Sequence, residues 1–288
     1  MDQRPGLANI SKLHVIVLVH GWLGNPKEMD YLKQTLFQQL HRIASYSTKA
    51  HALNIATATA VVDNNSKDSN PIALAIPSSN NSTSYEAFII HCAEANNGRD
   101  RTSDGIAAGG QRLATEIDQI ISQYSEQYQS QDAPQRRPPP PPPITLFVGN
   151  SLGGLYCRYA ISRMKSLSSS NNQGIVVIPK LFITTCTPHL GVSQHTYLSI
   201  PSWIETPIAW IMQQTGQDLF RRSLLLQDMT VHPSFLRPLQ SFTHRIAYAN
   251  VYGTDFQVPT STAAFWADTD SIHQVVVPTT NTNNNNNN

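Results

Sequence analysis

Charge is scarce in this chain. Only 14% of its 288 residues are Asp, Glu, Lys or Arg, against roughly a quarter in an ordinary soluble domain. The formal net charge is +1 and there is no long basic run. On composition, nothing would draw in nucleic acid or an anionic membrane surface. Cysteine is nearly absent: Cys92, Cys157 and Cys186 are the three. An odd count cannot pair fully, and the spacing fits no metal motif. Buried free thiols are expected, and with them a reducing compartment, the cytoplasm. Met1 to Leu13 has no apolar core segment, so no secretory signal is expected. No apolar run approaches the roughly 20 residues of a membrane-spanning helix. No repeat of fixed period is visible.

What the chain does contain is short apolar runs alternating with helical patterns. His14 to Val19 (HVIVLV) is a continuous β-branched run, the pattern of a central parallel strand. Pro26 suits a first helical turn, and Tyr31, Leu32, Leu36, Leu40 and Ile43 recur at helical spacing, predicting a helix over 26–45. Ala87 to Cys92, Ile144 to Val148, Leu181 to Thr185 and Arg245 to Tyr252 read as further strands, with His273 to Val277 a candidate last one. A helix is expected from Asp104 to about Tyr128, with Ile106, Leu113, Ile117, Ile120 and Ile121 inward. Another should follow Ser151 to about Leu167. Residues 62–84, rich in Asn and Ser, read as a loose surface loop. The segment 130–143 ends in six prolines, Pro138 to Pro143, a stiff polyproline spacer. Residues 192–242 contain no obvious strand and read as a helical cap with apolar residues such as Trp203, Trp210, Ile211 and Phe220. The Asn-rich tail, 279–288, should be disordered. One α/β domain over 1–278 is therefore expected, with a mainly parallel sheet covered by helices on both faces.

The polar clusters sit where such strands end, which is where sheets of this kind bind ligands. Gly149-Asn150-Ser151-Leu152-Gly153 matches G-x-S-x-G. Its small residues permit a tight strand-to-helix turn that holds a serine above the sheet edge, and the following helix N-terminus favours developing negative charge. Ser151 is the candidate nucleophile. His20-Gly21-Trp22 follows the first strong strand. In such a fold this loop supplies one oxyanion-binding N–H, and the residue after the nucleophile supplies the other, which points to Trp22 and Leu152. His20 reads as a loop-fixing residue, because chain order runs serine, acid, histidine. His189 ends a different strand and reads as a structural loop histidine. His195, His232 and His244 stand in no motif.

Taken together, HVIVLVHGWLGNPKEMDYL, TSDGIAAGGQRLATEI, LFVGNSLGGLYCRYA, LFITTCTPHLGV, TGQDLF and RIAYANVYGTDFQVPTSTAAF resemble the DUF676 family of serine esterases, a group similar to lipases and phospholipases. The likeness runs through nearly the whole chain outside its low-complexity insertions. It implies an α/β-hydrolase fold with a helical cap, Ser151 as nucleophile and Asp255, in the D-x-x-V-P segment, as the triad acid. It implies no metal or organic cofactor. Asp268 and Asp270 are rival acids. The expected histidine falls after the strand that follows Asp255. His273 is the only histidine downstream of the acid, yet it lies at the start of that strand. Two readings stand: either the base lies beyond Asn288, or His273 sits in a loop at the site.

By resemblance the substrate is a carboxylic ester, with a lipid acyl ester first in line. Peripheral contact with a membrane or lipid droplet is a further expectation. Acyl transfer or thioester hydrolysis on the same residues, and an inactive lipid-binding or interaction scaffold, are the alternatives. The polyproline spacer carries its own prediction. Deleting Gln131 to Pro142 should leave the melting temperature nearly unchanged, because halving a loop alters closure entropy by only about 0.6 kcal/mol. A large drop would show that the segment packs on the core.

Overall fold

The structure, a computed structural model, describes residues 10–46, 72–77, 85–130, 141–167, 176–193 and 202–249. Strand β1 (Ile10–Val19) lies at the centre of a sheet. β3 (Tyr85–Cys92) runs parallel on one side of it and β4 (Ile144–Asn150) on the other. β5 (Ile178–Thr185) and β6 (His244–Tyr248) continue in parallel beyond β4. Among the described residues the order is β2-β3-β1-β4-β5-β6, where β2 is Ile72–Pro77.

The alternation of β1 explains the layering. Leu13, Val15, Val17 and Val19 enter one core with helix α3 (Ile106–Ser130) and helix α4 (Leu152–Ile161). Ile16 and Leu18 enter a second core, on the opposite face, with Met29, Ile90 and the apolar side of helix α1 (Asp30–Tyr46). A strand buried on both faces must be apolar at every position, which is why HVIVLV shows no polar alternation. The five inward residues expected of α3 are all buried.

Several expectations need correction. The segment 62–84 is not a loop throughout, because Ile72–Pro77 forms β2, antiparallel to β3 with Ile72 opposite Ile90 and Pro77 opposite Tyr85. Its six residues, IALAIP, are hidden between Asn- and Ser-rich flanks, and Pro77 is tolerated because it ends an edge strand. In α1, Tyr31 and Ile43 are exposed, and Phe37 packs against the second core beside Leu32, Leu36 and Leu40. The helix expected from Asp104 begins two residues later, at Ile106. A short helix, α2 (Arg99–Ser103), comes first, and Gly105 turns the chain at φ 106° before α3 begins. The strand expected to reach Tyr252 is described as far as Tyr248. The candidate strand 273–277 and the tail lie outside the described residues.

Residues 202–242, the described part of the expected cap, contain helices α5 (Ser202–Ile211), α6 (Gln213–Leu219), α7 (Leu225–Val231) and α8 (Pro233–Ser241) and no strand. Two sequence motifs meet at its base. Thr215 and Asp218 of the TGQDLF segment reach the TSDGI turn: Gly105 N donates to Thr215 Oγ1 at 3.0 Å, and Ile106 N donates to Asp218 Oδ2 at 3.0 Å. Asp218 thereby satisfies an orphan N–H of α3 and places a carboxylate at its positive end. Thr215 Oγ1 donates in turn to Thr102 O at 2.8 Å. So α6 is tied to the domain by buried polar bonds.

Helices α3 and α4 approach closely through Gly109 and Gly110, which face Tyr156 and Tyr159. A Cβ on Gly109 would overlap the Tyr156 ring, lying 2.7 Å from its Cδ1. In an open helix, glycine to alanine gains up to about 1 kcal/mol. Here Gly109→Ala should instead lower stability by about 1–3 kcal/mol, because a fully buried ring must shift. The urea midpoint reads this directly, and an increase would contradict the packing.

Candidate active site

The turn between β4 and α4 carries Ser151 at φ 53°, ψ −124°. A non-glycine residue in such backbone costs of order 1–3 kcal/mol and persists only where its surroundings impose it. The imposing contacts are visible. Ser151 N donates to Thr185 O of β5 at 2.8 Å, and Gly154 N donates back to Ser151 O at 3.1 Å. A Cβ on Gly153 would meet the Val19 carbonyl and lie 2.5 Å from the His20 carbonyl oxygen. A Cβ on Gly149 would lie 2.5 Å from Gly154 Cα. The first turn of α4 therefore lies against the backbone at the end of β1, and glycine is required where the two chains touch.

The same approach brings the His20-Gly21-Trp22 loop to the serine. A Cβ on Gly21 would be 2.9 Å from Ser151 Cβ and 3.4 Å from its Oγ. His20 is buried and its Nδ1 sits 3.0 Å from Gly21 O. The carbonyl can only accept, so Nδ1 carries the proton and the ring clamps its own loop. Leu152 opens α4, where N–H groups lack intrahelical partners. Among the described residues, neither the Trp22 nor the Leu152 N–H is used in a turn or loop hydrogen bond. This juncture is also the switch point of the sheet: the chain leaves β1 for β3 on one side and returns past it to β4 on the other.

His189 is near this edge but is locked away. Arg158 Nη1 lies 3.3 Å from its Nδ1, and Thr184 Oγ1 lies 3.0 Å from its Nε2. A guanidinium only donates, so Nδ1 is the acceptor and Nε2–H points at the threonine. Burial, with the Arg158 charge second, pushes the imidazole down to about 3. Burial alone pulls Arg158 down to about 10, still charged at neutral pH. Arg158 Nη2 also donates to Met229 O at 2.7 Å, so the network joins α4, the loop after β5 and α7. Its members were not singled out together by sequence reading, since no spacing links positions 158, 184 and 189. The Glu116 carboxylate was missed for the same reason. It accepts from His91 Nε2 at 2.8 Å, Glu94 N at 2.8 Å and Ala95 N at 2.9 Å, bracing the loop after β3. Burial works to raise this carboxyl, but those bonds outweigh it and hold it below its ordinary range.

Of the remaining candidates, His232 caps α8 by accepting from Ser234 N, and His244 is exposed on β6. Burial pushes the Cys92 thiol up to about 11 and the Cys157 thiol higher still, so neither is a nucleophile at neutral pH. Cys186 is half-buried just past β5, not within a strand. Asp255, His273, the rival acids Asp268 and Asp270, and His195 lie outside the described residues. The structure thus sets Gly21, the residue before Trp22, against Ser151, with Leu152 following the serine at the start of α4.

A largely parallel sheet with helices on both faces, carrying a strained serine on a strand–helix turn, is the α/β-hydrolase fold. A family model described as "Putative serine esterase (DUF676)" matches residues 61–267, and the chain belongs to that family. The match takes in β2 to β6 and Asp255. β1 with its His20-Gly21-Trp22 loop and His273 fall outside it. No curated protein matches the chain.

The locked histidine has a pH consequence. Its folded-state pKa lies below the unfolded value near 6.5, so its contribution is complete above pH 6.5 and is lost as pH falls toward 3. In His189→Gln, an amide can still accept from Arg158 and donate to Thr184 but does not titrate. The fall in unfolding free energy between pH 6 and pH 4 should be shallower than in wild type by up to about 1.4 kcal/mol per pH unit. Parallel curves from urea unfolding would mean that His189 titrates freely.

Proposed function

We propose that the chain hydrolyses carboxylic esters, with lipid acyl esters as the substrate class, through an acyl-serine intermediate. The strained backbone of Ser151 beside two N–H groups carries this reading, because strain that a fold maintains on a polar residue at a sheet's ligand edge is the mark of a reactive site. Ser151 Oγ attacks the ester carbonyl carbon as its proton passes to a histidine. The Trp22 and Leu152 N–H groups hold the oxyanion of the tetrahedral intermediate. Collapse expels the alcohol, which takes the proton from the histidine. Water then attacks the acyl-serine by the same route and releases the acid.

Asp255 is assigned as the residue that orients the histidine, on its place in the D-x-x-V-P segment after β6. His273 is assigned as the base on chain order alone. His189 is unsuited to that part, since both its nitrogens are occupied and burial keeps it neutral. The cap helices over 202–242 and the apolar residues they carry favour an acyl chain over a small polar acid.

A fluorophosphonate probe tests the serine before any substrate is known. Wild type should be labelled and Ser151→Ala should not. Hydrolysis of a short-chain ester should fall by a factor on the order of 10⁶ in kcat, with the far-UV spectrum unchanged. An unlabelled wild type, or a mutant that turns over like wild type, would sink the assignment. His273→Ala in the same assay should fall toward the Ser151→Ala level, and wild-type turnover would remove His273 from the mechanism.

A further inference from the structure

Helix α5 is built with its polarity reversed. Glu205 and Ala209 face the protein at 4% and 0% exposure, and the Glu205 carboxylate accepts from Ser193 Oγ at 3.0 Å. The residues turned to solvent are Trp203, Pro207, Trp210 and Ile211, with the two tryptophans and the isoleucine more than 70% exposed. Their spacing is i, i+4, i+7 and i+8, which at about 100° per residue is a single stripe roughly 100° wide. One exposed apolar residue needs no explanation. A helical stripe with two tryptophans does, because soluble surfaces rarely leave such patches open.

The charges around the stripe narrow what covers it. Between Ser202 and Gln227 the only carboxylates are Glu205 and Asp218, and both are buried. Asp218 is saturated by Ile106 N, Gln214 Nε2 and Ser223 Oγ. The exposed charges of this stretch are Arg221 and Arg222. Arg222 donates to Thr206 Oγ1 on α5 at 2.6 Å, and Arg221 donates to Ser193 O at 3.0 Å. Arg222 is thus held against the flank of α5. Among the described residues from Ser202 to Gln227 no exposed carboxylate accompanies the two arginines; the next one, Asp228, is exposed on α7. A net charge of +1 for the whole chain conceals this, because burial has removed the negative half locally. A second copy of the chain docked through this face by two-fold symmetry would bring the arginine pairs of both copies to one interface. A surface of phosphate groups over acyl chains meets both features: tryptophan settles at the headgroup level, and arginine pairs with phosphate.

We propose that α5 docks on a phospholipid bilayer bearing anionic headgroups. Trp203, Pro207, Trp210 and Ile211 enter the boundary between headgroups and acyl chains, and Arg221 and Arg222 meet the phosphates. The cap that carries α5 is inserted between the carboxyl end of β5 and the start of β6, and the Thr185 carbonyl at that end of β5 holds the Ser151 N–H. The proposal rests on the esterase reading for the idea that the substrate lies in the bilayer. Docking itself needs no reaction at Ser151.

The test is co-sedimentation of the full chain with sucrose-loaded vesicles of diether phosphatidylcholine, alone or with diether phosphatidylserine. Ether linkages keep hydrolysis out of the measurement. Wild type should partition onto the phosphatidylserine vesicles with a blue shift of tryptophan emission. Trp203→Gln/Trp210→Gln should bind at least about ten-fold more weakly with an unchanged melting temperature, since both side chains are exposed. Replacing Arg221 and Arg222 by Gln should cost roughly five-fold each on the anionic vesicles only. Failure of wild type to bind either vesicle, or equal binding by the double tryptophan variant, would overturn the proposal. So would a concentration-dependent dimer that the tryptophan variant loses, which would assign the face to a second copy. Fluorophosphonate labelling and hydrolysis of a water-soluble acetate ester accompany each variant. In wild type, labelling without vesicle binding overturns the docking surface alone, and binding without labelling overturns the hydrolase reading alone.

Discussion

The first turn of α4 lies directly on the backbone at the end of β1, and the rest of the site follows from that contact. No Cβ fits between Gly153 and the Val19 and His20 carbonyls, nor between Gly149 and Gly154. With the helix held that close, the chain must reverse within one residue, and Ser151 takes up a left-handed φ. The Thr185 carbonyl fixes the serine N–H from the next strand. The same closeness sets Gly21 against the serine, so the loop after β1 and the start of α4 converge without either being long. A larger side chain at any of these glycines would separate the elements and release the strain together.

Around this contact several buried polar groups have their bonds supplied from distant parts of the chain. The α3 N-terminus is capped by Asp218, more than a hundred positions away. The loop after β3 hangs on Glu116, and the loop after β5 on Arg158 through His189. An unpaired group in these places would cost about 1–3 kcal/mol each, so the loops at the carboxyl edge are held by a few high-value bonds. The apolar residues that remain outside, on α5, are accordingly conspicuous: Glu205 turns inward there, and Trp203 and Trp210 are left to solvent.

The sheet was largely legible beforehand, because a strand covered on both faces must be apolar throughout, and β1, β3, β4 and β5 announce themselves in that way. β2 was not legible, since six residues between Asn- and Ser-rich flanks carry too little signal against their surroundings. The outward turn of Tyr31 and Ile43 was hidden for a related reason. Helical spacing marks a stripe but not which edge of it the sheet covers, and Phe37 took the buried place.

Local sequence determined what could be decided locally: the strand–helix alternation, the glycines that allow a sharp turn around Ser151, and the loop that follows β1. These depend on backbone freedom and on periodicity, which are written in neighbouring residues. Tertiary structure alone decided which polar side chains meet. Positions 158, 184 and 189, or 105, 215 and 218, share no spacing rule, and their pairing exists only because the sheet order brings them to one edge. It alone decided the fate of charge as well, since Glu205 and Asp218 are buried while Arg221 and Arg222 are exposed near the apolar stripe of α5. Burial is a property of the packed whole, and no count of residues along the chain contains it.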